Sequence, residues 1–179
     1  RLNSLYENLE FYSFLKKDLS NENVVTEKLN YKIIDSINDI EIDSAVSVYL
    51  ENFGLNYHVS EVIGIGVYNE KVSYFIPKDL VIDCLPKIIP FINCTDDVKK
   101  LIVSLHWLGI DCEFDCFDTM IAAYLLDYNV KDDIAYLANS LNYEIPFYEK
   151  LYGKNTLEKP EEELMINSIM KKAKFLYET

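Results

Sequence analysis

The sequence predicts an α/β domain in which helices flank a mixed central sheet. Short runs rich in β-branched and aromatic residues fill the first half of the chain, and helical patterns follow them. One run, Val62-Ile-Gly-Ile-Gly-Val67, alternates glycine with large apolar residues. That leaves one strand face bare, so that a neighbouring backbone or helix can approach closely. The C-terminal stretch opens with Pro160-Glu-Glu-Glu163 and closes with Lys171, Lys172 and Lys174. Acids at the start and cations at the end complement a helix dipole.

Each element follows from local pattern. Leu2, Leu5, Leu9, Phe14, Leu15 and Leu19 lie close to helical spacing, and Asn3 or Ser4 can cap that helix. Asn21-Glu-Asn23 reads as a linker. Tyr31–Ile34 reads as a short strand, followed by a helical turn from Asp35-Ser36 to Ile40. Ala45–Leu50 is the first central strand, Val62–Val67 the second and Lys71–Ile76 the third, with Asn69 turning the hairpin between the last two. A further strand is expected near Gly109–Phe114 or just before Asp96. Pro86 and Pro90 interrupt Leu80–Leu85 and Ile88–Ile92, predicting two short helical pieces or a kink. Helices then follow from Asp96-Asp97 to about Leu108, over Phe117–Leu126, over Asp132–Leu141 with Asp132 or Asp133 as cap, and over Pro146–Tyr152 ending at Gly153. Pro160 is expected at the first position of the last helix.

Bulk composition narrows the function. The chain has 179 residues, 50% of them hydrophobic, enough to bury an ordinary single-domain core. Net charge is −13, and of 17 basic residues only Arg1 is arginine. Such a surface repels a phosphate backbone and lacks bidentate guanidinium clamps, so strong autonomous DNA binding is not expected. Cys84, Cys94, Cys112 and Cys116 are irregularly spaced, and neither His58 nor His106 stands near enough to complete zinc-finger spacing. They read as small buried hydrophobes. There is no signal-like leader and no long apolar run, and a reducing cytoplasm suits the free thiols. A start at Arg1 without methionine suggests a piece of a longer protein.

Phe117-Asp-Thr-Met-Ile-Ala-Ala-Tyr-Leu-Leu-Asp127 lies between Leu108-Gly-Ile-Asp111 and Leu151-Tyr-Gly-Lys-Asn155. Together they resemble the 3′–5′ exonuclease-type domain between the 5′ nuclease and polymerase regions of bacterial family A DNA polymerase I. The resemblance covers roughly residues 30–179, and Leu9-Glu-Phe-Tyr-Ser-Phe-Leu15 resembles the tail of the 5′ nuclease region. It implies a ribonuclease H-like fold over 26–179, preceded by a helical tail and linker over 1–25. The parent it implies is a DNA-directed DNA polymerase, a nucleotidyltransferase of DNA replication and repair. The partners implied are the polymerase and 5′ nuclease regions of the same chain, in a cytoplasmic monomer.

Nucleases of this family use two metal ions held by carboxylates, one to activate water and one to neutralise the leaving oxygen. Position by position, the resemblance puts Tyr49 and Glu51 in the slots of the first Asp-x-Glu motif. Glu41-Ile-Asp43 reverses that motif and precedes the strand, so it is rejected. The second motif's aspartate falls in the Lys99-Lys-Leu-Ile102 turn, with Leu101 in or beside its slot. The third motif, Tyr-x-x-x-Asp, falls on Ser168 to Lys172, with lysine in place of the aspartate. At most Glu51 survives as a ligand, so no catalytic residue, metal or other cofactor is expected. An ammonium in that slot favours an internal ion pair over a hydrated cation. Degenerate exonuclease domains have precedent in this family.

Two rival readings stand beside it. One is a working exonuclease with ligands relocated to Glu51, Asp97, Asp115 and Asp118. The other is an independent protein-interaction module with an acidic surface. Asp111, Glu113 and Asp115 alternate as on one face of a strand and read as a solvated edge rather than a metal site. Asp96-Asp97 reads as a helix cap. Trp107 is expected in the core, and the Lys171, Lys172 and Lys174 cluster as complement to a helix C-terminus.

Overall fold

In a computed structural model the described residues are 29–54, 60–113, 116–126, 128, 133–153 and 158–179. The helix and linker read in residues 1–25, the candidate ligand Asp115 and the alternative cap Asp132 lie outside them.

Among the described residues six strands form one mixed sheet: β1 (Lys32–Ile33), β2 (Val46–Phe53), β3 (Glu61–Tyr68), β4 (Ser73–Pro77), β5 (Ile92–Thr95) and β6 (Phe117–Asp118). Their order is β1-β4-β3-β2-β5-β6. The β2–β3 and β3–β4 pairs are antiparallel, and β1–β4, β2–β5 and β5–β6 are parallel. The expected strands are therefore present. The added one lies just before Asp96, as β5, and residues 109–113 form no strand. Asn69 turns the hairpin by accepting the backbone N–H groups of Lys71 and Val72, each at 2.8 Å.

The helices are α1 (Lys78–Ile88), α2 (Val98–Trp107), α3 (Thr119–Leu125), α4 (Ile134–Ser140), α5 (Tyr148–Tyr152) and α6 (Glu162–Glu178). Of the expected two pieces or kink, the separate pieces are not seen: α1 runs through Pro86, and a 3-10 turn over Ile89–Phe91 takes in Pro90. Pro86 stands near the end of the helix on its exposed side, where water can hydrate the carbonyl its ring leaves unpaired. Phe117 and Asp118 join the sheet edge instead of opening the helix, and Asp118 caps α3 by accepting from Ile121 N. Asp133 caps α4 in the same way. The last helix begins two residues beyond Pro160, and α5 ends at Gly153 with φ of 97°.

Two apolar layers cover the sheet. Val46, Val48 and Leu50 of β2 pack with Val81, Leu85 and Ile88 of α1 and with Leu101 and Leu105 of α2. On the opposite face Tyr49 packs with α4 and with Ile166, Ile169, Met170 and Ala173 of α6. Alternate residues of β2 thus serve opposite layers. Cys84 and Cys94 are buried, and Cys112 and Cys116 are half-buried.

Trp107 is a correction. It is 67% exposed rather than core, because it falls outside the Leu101, Ser104 and Leu105 stripe by which α2 meets the sheet. No helix among the described residues is long and apolar enough to cross a membrane.

Candidate functional site

Tyr49 and Glu51 stand two residues apart on β2 and point to the same face. Opposite them on β3 lie Gly66 and Gly64. The missing side chain at Gly66 is what admits α6: a Cβ there would stand 3.0 Å from Ile169 Cγ2 and 3.2 Å from the Ile169 carbonyl oxygen. One turn further along α6, Lys172 therefore reaches the same patch of β2.

There the Lys172 Nζ donates to Glu51 Oε2 at 2.9 Å, with the two side chains only 1% and 2% exposed. The Tyr49 hydroxyl donates to Glu51 Oε1 at 3.2 Å and accepts from Lys172 at 3.4 Å. The assignment of Lys172 to helix-terminus charge complementarity is thus corrected, because it is a buried partner of β2. A second lysine completes the cluster. Lys100 Nζ donates to Asp96 Oδ2 at 3.2 Å, and Thr95 Oγ1 donates to Asp96 Oδ1 at 3.3 Å. The Tyr49 ring centroid lies 4.6 Å from the Lys100 ammonium and 4.9 Å from that of Lys172, within cation–π range.

Burial, reinforced by the Glu51, Asp96 and Asp133 carboxylates, holds the Tyr49 hydroxyl well above its ordinary pKa. Burial disfavours the Lys100 ammonium, but the Asp96 and Glu51 carboxylates outweigh it and raise the pKa. Lys100 therefore stands as a cation among carboxylates.

A cavity of about 460 Å³ opens beside this cluster, lined by Tyr49, Glu51, Lys100, Asp133, Tyr136 and Tyr148, among others. The Tyr148 hydroxyl donates to the Asn52 carbonyl at 2.8 Å and accepts from Gly54 N at 2.7 Å, tying α5 to the end of β2. Burial, only partly offset by the Gly54 N–H, pushes the Tyr148 hydroxyl up to about 12.

This donor set does not fit a pair of divalent cations. Glu51 accepts from Lys172 and Tyr49, and Asp96 from Lys100 and Thr95. Asp97 caps α2 through Lys100 N, and the two oxygens of Asp118 accept from Val98 N and Ile121 N. Of the described acids of the relocated set, Asp97 lines the same cavity as Glu51 while capping α2, and Asp118 caps α3. Among the described residues no three His, Cys, Asp or Glu side chains are grouped to hold a metal.

The residues read from the sequence are brought together in part. Tyr49, Glu51 and Lys172 form one cluster. Leu101 does not join it, because its side chain packs in the opposite layer, and Lys100 is the member of the 99–102 turn that faces Tyr49. Ser168 is buried, and its hydroxyl has no hydrogen-bond partner among the described residues. The Asp96–Lys100 pair was missed, although its i,i+4 spacing was a usable signal. The Asp133 and Tyr148 contributions carried no such signal, since they reach the cavity only through the packing of α4 and α5.

A family model described as the DNA polymerase I ribonuclease H-like domain matches residues 48–179. The DNA polymerase I of Geobacillus stearothermophilus is 30% identical over 184 residues, covering 95% of this chain and 21% of that protein. For the Bacillus subtilis DNA polymerase I, identity is 29% over 156 residues, covering 82% of this chain and 18% of that protein. The chain thus spans about a fifth of the length of these relatives. The match extends from β2 through the end of α6, so the chain belongs to the ribonuclease H-like, 3′–5′ exonuclease-type domain family of bacterial DNA polymerase I.

Proposed function

We propose that this chain is a catalytically silent exonuclease-like domain of a DNA polymerase I. It serves as a structural element between the 5′ nuclease and polymerase regions, with residues 1–25 the tail of the former. Polymerisation in replication and repair resides in other regions of that cytoplasmic protein. The observation that carries this reading is the Lys172 ammonium, 2.9 Å from Glu51 and out of solvent. A fixed cation there repels a divalent ion, and magnesium sheds its water only for several well-placed oxygens. The net charge of −13 adds that phosphate binding is weak without a partner.

The test is incubation with labelled single-stranded DNA in millimolar magnesium or manganese, beside a chelator control. No chelator-sensitive release of mononucleotides is expected, and Lys172→Asp alone does not restore it, since two metals need their full ligand set. In a fluorescence-anisotropy titration at physiological salt, single- and double-stranded DNA bind weakly. Chelator-sensitive mononucleotide release would overturn the reading in favour of an active enzyme with relocated ligands.

A further inference from the structure

We draw no further inference here: the strongest candidate, the cavity of about 460 Å³ at the C-terminal end of β2, belongs to the site already described, and nothing beyond its Asp96, Asp97, Asp133 and Glu149 carboxylates points to what it would hold.

Discussion

Replacing Lys172 with methionine tests the central ion pair most directly, because the change keeps an unbranched apolar stem and removes the ammonium with its hydrogen bonds to Glu51 and Tyr49. The pair is 2.9 Å long, and its side chains are 1% and 2% exposed. At an effective dielectric of about 20, the Coulomb attraction at that distance is about 6 kcal/mol. Desolvation of each ion costs several kcal/mol, so the net worth of the pair is small. Breaking it is different. Lys172→Met leaves the Glu51 carboxylate buried with Tyr49 as its remaining donor, and such an uncompensated charge costs about 3–5 kcal/mol. For a domain of this size that lowers the melting temperature by roughly 10 °C. The companion double variant, Lys172→Met with Glu51→Leu, removes both charges and should recover most of the loss or exceed the parent. Urea unfolding followed by circular dichroism, run as a double-mutant cycle, measures the coupling. A single variant costing less than about 1 kcal/mol would refute the reasoning. So would a double variant as unstable as the single, since then packing rather than charge would govern the position.

Gly66→Ala places a methyl 3.0 Å from Ile169 Cγ2 and 3.2 Å from a backbone oxygen of α6, so it should cost about 1–3 kcal/mol in urea unfolding. Its cost should be non-additive with that of Lys172→Met, because both act through the seating of α6. Tyr148 controls part of the alkaline stability. The fold favours its neutral hydroxyl, so its contribution is intact below the ordinary value near 10 and is lost as pH rises through about 12. At about 1.4 kcal/mol per unit this amounts to roughly 2–3 kcal/mol. Tyr148→Phe should therefore destabilise the chain at neutral pH by about 1–2 kcal/mol and flatten the decline between those pH values. Unfolding free energies measured across that range check it, and equal slopes in parent and variant would contradict the assignment.

The sequence by itself determined what depends on neighbours along the chain. β-Branched and aromatic residues in Ala45–Leu50 and glycine alternation in Val62–Val67 specified strands, the bare face of the latter implied close approach, and Asp96-Asp97 and Asp132-Asp133 announced helix starts. A lysine at 172 in place of an acid was likewise legible, because residue type sets charge whatever the fold. Tertiary structure decided what depends on residues far apart. Glu51 and Lys172 are separated by 121 positions, and only the seating of α6 on Gly66 brings their charges to hydrogen-bonding distance. The same packing selected Lys100 over Leu101 for the Tyr49 face, since helix phase against the sheet is fixed by burying the Leu101–Leu105 stripe. It also left Trp107 in water and ran α1 through Pro86, because solvent access is a property of the assembled surface. Local pattern fixes which elements form, whereas the site arises from long-range packing that periodicity does not encode.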